Sequence, residues 1–149
     1  MLFPTHLVAG YVIGERWDWP LPWVLLGAAA PDLIDKPLAM AGLVELYQTI
    51  GHSLALFATI AALALLGGVW AALWVGWASH LLLDAVHMVV NGRPGDLLFL
   101  AWPVIEHTPA VNLPPVEFLF AYIGTPSFYL ELVIWAVFGY VLLTANGAE

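Results

Sequence analysis

Five histidines and eleven acidic residues stand in a 149-residue chain that is otherwise dominated by apolar side chains. Those placed beside apolar sequence are His6, Asp32 and Asp35 in PDLIDKP, His52 in GHS, and His80, Asp84 and His87 in SHLLLDAVH. On a helix the last three follow i, i+4, i+7 spacing and share an arc of roughly 60°. An aspartate at the bilayer centre costs about 2.5–3.5 kcal/mol on insertion scales, so three ionisable groups on one stripe imply a shared partner. His and Asp without Cys suit zinc, or else manganese or iron, rather than a thiolate metal. A divalent cation also lets a buried carboxylate stay charged. His-x-x-x-Asp on a helix has the spacing for two ligands of one ion. The competing reading of His80 and Asp84 is a hydrogen-bonded pair that relays protons. PDLIDKP reads alternatively as a helix stop and turn, with Asp32 and Asp35 capping or solvated. His87, near a helix end, reads as a ligand or as a donor behind the ligands. Asp96, Glu117 and Glu131 read as ordinary loop or interface charges, and Glu106-His107 as part of a surface loop.

The elements that must position these residues are of membrane type. Sixty-two per cent of the chain is hydrophobic and 9% charged, against roughly 25% charged in a soluble domain. Three Lys+Arg in the whole chain exclude nucleic-acid binding, which needs a basic surface. The apolar excess excludes disorder. An apolar run from Ser53 to Leu83 and beyond, broken at Gly67-Gly68, predicts a helical hairpin of about 52–67 and 69–90. A further helix is expected at about 126–145, with Pro126 in its first turn. Residues 5–14 and 21–30 predict a shorter hairpin that crosses the bilayer only in part. Trp17, Trp19, Trp23, Trp70 and Trp74 fall near the hairpin tips, as interfacial tryptophans do. The N-terminus lacks the basic region of a secretory signal. The fold expected is an all-α integral membrane protein. It is a compact bundle of about four to five transmembrane or half-spanning helices built from hairpins, in one domain over 1–149.

Depth arithmetic then gathers the polar residues. Folding about Gly67-Gly68 sets residue 52 opposite roughly residue 83, the level of His80 and Asp84. Folding about Trp17-Asp18 sets His6 opposite roughly residue 29, with Asp32 one turn further. A metal site drawing on His6, Asp32, Asp35, His52, His80, Asp84 and His87 follows.

In order, His6, PDLID, GHS, GWASHLLLDAVH and GRPGDLLFLAWPV resemble the signature of the YdjM/YbcI-like family, membrane-bound metal-dependent hydrolases also described as LexA-binding inner-membrane proteins. The resemblance covers residues 1 to about 104. The chain departs from it in the extra residue of PDLID, in a single His before Ser53, and in Ala-Trp-Pro for Leu-Trp-Pro. That family is in turn similar in motif order to zinc-dependent phospholipase C and the related single-strand nucleases. Carried over, the resemblance implies His6, Asp32 or Asp35, His52, His80 and Asp84 as ligands of one or two zinc ions, with Asp84 bridging.

The function expected is hydrolysis of a phosphoester of a lipid or lipid-linked substrate in the cell (inner) membrane, in a multi-pass protein. The cation would activate water, and Asp32 or Asp35, whichever is not a ligand, would be the general base. The alternatives are a zinc-dependent lipid amidase or esterase of ceramidase type, and a non-enzymatic protein that carries metal or protons.

Overall fold

Prolines in the first turn, where no intrahelical N–H is needed, open several of the helices. A computed structural model describes residues 1–145. It contains α1 (Phe3–Arg16), α2 (Leu21–Met40), α3 (Leu54–Ala64), α4 (Gly68–Val90), a 3-10 helix (Pro94–Ala101), α5 (Pro115–Tyr122) and α6 (Pro126–Ala145). No strand occurs among the described residues. α1 and α2 form the first hairpin and α3 and α4 the second, each turning at the predicted place. Gly67 and Gly68 both take positive φ at the second turn (72° and 56°), a conformation costly for residues with a Cβ.

Among the described residues, two helices are long and apolar enough to cross a membrane: α4, half buried within the fold, and α6, almost entirely on its outside. α3 has 11 residues and reaches only about 16 Å, too short for a ~30 Å hydrocarbon layer. Trp17, Trp23 and Trp70 are exposed near the hairpin turns.

The second arm of the first hairpin runs ten residues past the predicted end at residue 30. α2 continues through Pro31 and Pro37 to Met40, so PDLIDKP is helix and not a stop and turn. A proline inside a helix removes one N–H and crowds the preceding turn. Here the tertiary setting outweighs that cost, because Gly51 lies directly against the Pro31 backbone. A Cβ at Gly51 would stand 2.6 Å from the Pro31 carbonyl oxygen. The Gly51 carbonyl is held from the other side by Trp77 Nε1 at 3.0 Å.

The tightest packing in the molecule is the crossing of α2 and α4. A Cβ at Gly27 would lie 2.0 Å from the Leu73 carbonyl oxygen, and one at Gly76 would lie 2.0 Å from that of Val24. Glycine at both positions therefore lets the two backbones touch. Leu73, Trp77, Leu81, Met88 and Phe99 continue the core beside this crossing, with Ile34, Phe57 and Ile60 against them.

Candidate metal centre

The α2–α4 contact sets the first ligand. With backbones this close, His80 Nδ1 reaches the Ala28 carbonyl oxygen at 2.7 Å. A carbonyl only accepts, so Nδ1 carries the proton and Nε2 presents its lone pair. The second ligand is fixed by the segment between α2 and α3. Asp35 is fully buried and receives the N–H groups of Thr49, Gly51 and His52 and the Thr49 hydroxyl, at 2.7–3.2 Å. A carboxylate with that many donors is ionised. His52 Nδ1, 2.7 Å from Asp35 Oδ2, is therefore a donor, and His52 Nε2 is also left with a lone pair.

These two Nε2 atoms face each other at 3.1 Å. Around them stand Asp84 Oδ2, at 3.4 Å from His52 and 3.6 Å from His80, and Asp32 Oδ1, at 3.6 and 3.8 Å. With both imidazoles neutral, these atoms are all acceptors. Ligands of a tetrahedral zinc at 2.0–2.1 Å are about 3.3 Å apart, and the observed separations bracket that figure. The donor set thus offers a divalent cation Asp32, His52 and His80, with Asp84 Oδ2 close to both imidazoles. The same crowding of acceptors acts on a proton. Burial pulls the His52 imidazole down, yet the Asp35 hydrogen bond and the Asp84 and Asp32 carboxylates overcome it and push it up to about 9. The cluster demands positive charge.

His6 adjoins this set. Its ring stacks on His80 with centroids 3.7 Å apart, and Nε2 lies 3.3 Å from Asp84 Oδ1. Neither ring nitrogen has a hydrogen-bond partner although the residue is buried. His6, His80 and Asp84 make a second group with metal-ligand spacing, overlapping the first, Asp32–His52–His80. The Met1 amine stands at the same Asp84 oxygen, 2.7 Å away.

Two residues expected at the metal lie elsewhere. Asp35 is not a ligand or a base facing substrate: its oxygens are filled by the 49–52 backbone and by His52, and its part is to orient His52. His87 is turned away as well. Arg93 Nη2 donates to His87 Nε2 at 3.0 Å, so His87 Nδ1 donates to Ser127 Oγ at 2.8 Å. With both nitrogens taken, His87 ties α4 to the start of α6. Asp96, expected as a loop charge, is buried and receives Arg93 Nη1 (2.9 Å), His107 Nε2 (3.0 Å) and the Ala110 N–H (3.1 Å). Burial acts to raise its pKa, but the His107 hydrogen bond with the Ala110 and Arg93 contacts holds the carboxyl below the ordinary 3.8. Glu131 is likewise buried and accepts the Leu2 N–H at 2.6 Å.

Four contributors went unread in the sequence. Gln48 Nε2 donates to Asp84 Oδ2 at 2.8 Å, Thr49 and Gly51 hold Asp35, and Lys36 pairs with Asp32. The signal available was proximity: Gln48, Thr49 and Gly51 immediately precede His52, and Lys36 is one turn beyond Asp32.

Asp32 and Asp84 form part of the floor of a cavity of about 330 Å³, into which Lys36 and Arg93 also face. Its other walls are mostly apolar, with Leu46, Met88, Phe99, Val111 and Phe118 among them. Compared with protein-family models, curated proteins and solved structures, the chain matches none.

Proposed function

We propose that the chain is a multi-pass membrane hydrolase that uses a divalent cation, zinc foremost, to cleave a phosphoester of a lipid or lipid-linked substrate. The observation that carries this reading is the meeting of Asp32, His52, His80 and Asp84 where the two carboxylates line a cavity with mostly apolar walls. The motif order resembling the YdjM/YbcI-like hydrolases points the same way. A cation bound there supplies Lewis acidity, lowering the pKa of a water and drawing charge from a phosphoryl oxygen.

The chain's own residues supply the rest. Asp35 and the Ala28 carbonyl keep both imidazoles in the one tautomer that offers Nε2 inward. Asp32 is the acid of PDLID that lines the cavity; as a ligand beside His52 and His80 it is not free to be the general base, and the Asp35 oxygens are filled by the 49–52 segment. Lys36 and Arg93 are two of only three basic residues in the chain, and both face the cavity. They attract an anionic head, while Leu46, Phe99 and Phe118 accept the apolar remainder. That pair of cations favours a phosphoester over the amide or neutral ester of a ceramidase-type substrate, which offers them no anion.

The test is metal analysis of the protein purified in detergent, followed by product analysis on mixed lipid extracts. Stoichiometric divalent metal and release of a phosphorylated head group or phosphate are expected. A substoichiometric metal content, or fatty-acid release alone, would overturn the assignment.

A further inference from the structure

α5 has eight residues, apolar side chains on more than one face and a single charge, Glu117. Phe118 and Leu119 turn inward and line the cavity above the carboxylates. Val116 and Phe120, at i and i+4, are exposed by 67% and 73%, and Ile123, just past the helix end, by 57%. Glu117 lies in the first turn, and a short helix with an exposed apolar row flanked by a charge suits a lipid interface. α5 is not in the core: it is the helix least engaged with the others. It hangs between Pro114-Pro115 and Gly124, whose φ is +84°. Three residues separate it from α6, whose outer surface, with Leu132, Val133 and Val137, is exposed and membrane-compatible. The exposed side of α5 thus lies within a few residues, along the chain, of the helix expected to meet acyl chains. An eight-residue helix is about 12 Å long and offers much less than the ~800 Å² per partner of a stable protein interface. Lipid, rather than a second copy of the chain, is the occupant that fits.

We propose that α5 is the portal of the site. Val116, Phe120 and Ile123 sit among lipid chains, and the apolar tail of an amphiphilic substrate passes along Leu119 and Phe118 into the cavity. The inference rests on the membrane reading above and deepens it by naming the side from which substrate enters.

The chain has no cysteine, so single cysteines can carry a nitroxide with no background. Val116→Cys, Phe120→Cys, Ile123→Cys and Leu119→Cys are labelled and reconstituted in phosphatidylcholine vesicles, with Val133→Cys and Glu106→Cys as references. Labels at 116, 120 and 123 should collide with dissolved oxygen in preference to a water-soluble nickel chelate, as at 133 and opposite to 106. A long-chain alkyl phosphonate should slow the label at 119, and a short-chain one should not. A nickel preference at 120 with 133 in lipid overturns the proposal. So does spin–spin broadening at 120 that grows with protein density, which marks a second copy, and so does a label at 119 indifferent to chain length. A nickel preference at 133 as well sinks the membrane reading together with the portal. The oxygen and nickel readouts need no turnover, so failure of the hydrolase assignment remains separately visible.

Discussion

Asp84 turns its two oxygens in different directions, Oδ1 toward His6 and Oδ2 toward His52 and His80. It is the one residue common to both halves of the cluster, apart from His80. His80→Ala and Asp84→Ala should therefore each reduce bound metal below one equivalent and abolish turnover, measured by elemental analysis and by phosphoester cleavage. Asp35→Asn tests the orienting role: metal affinity should fall about 10–100-fold, the usual effect of losing a partner behind a ligand. His87→Gln supplies the contrast, with metal content unchanged and stability lowered through the lost Ser127 contact. Loss of metal in that variant would return His87 to the ligand set.

Much of the ligand set was legible because its logic is local or one-dimensional. His80 and Asp84 share a helix face by spacing alone, and hairpin reflection brings His52 to their level. Asp35 and His87 were misassigned for a common reason. Their partners, the N–H groups of Thr49 and Gly51 and the guanidinium of Arg93, belong to irregular backbone whose course no periodicity encodes.

At the scale of elements, the α2–α4 crossing governs whether the site exists at all. Gly27→Ala or Gly76→Ala places a methyl 2.0 Å from a backbone carbonyl oxygen of the facing helix, and backbone cannot yield as a side chain would. A loss of at least about 1–3 kcal/mol is expected from overpacking. Because His80 is oriented by Ala28 across this contact, metal affinity should fall with it. Thermal unfolding and metal titration in detergent check the two effects together.

The segment 102–114 depends on a different bond set. Asp96 holds it through His107 and Ala110, and its carboxyl is depressed in the folded state. The sign is that of an aspartate stabilised by ionisation: the contribution is full above pH 3.8 and lost as pH falls below it. Hydrogen exchange at Ala110 should accelerate at acid pH before exchange in α4 does, and Asp96→Asn should show the fast exchange at neutral pH.

The hairpins and their turns followed from hydropathy and glycine placement, whereas the extension of α2 through Pro31 did not. What sustains it is Gly51 packed on the Pro31 backbone, a contact twenty residues away in sequence. Local rules for proline correctly describe a cost and say nothing of what offsets it.

For the whole molecule, a cation joining α2, α4 and the 49–52 segment would act as a cross-link. Chelation should lower the unfolding midpoint, and re-addition of zinc should restore it. Ligand at a hundredfold excess over its dissociation constant contributes about 2.7 kcal/mol. A midpoint indifferent to chelator would speak against a cation in the resting fold.

The burial of Glu131 has a consequence in time. Its carboxylate holds the Leu2 N–H, and Trp135 Nε1 donates to Thr5 Oγ1 at 3.1 Å, so α6 holds the segment that carries His6. Chains emerge from the ribosome N-terminal end first. His6 is therefore made before the helix whose contacts hold its segment in place. A nascent chain lacking α6 would already contain every candidate ligand and still lack the contacts that hold the His6 segment.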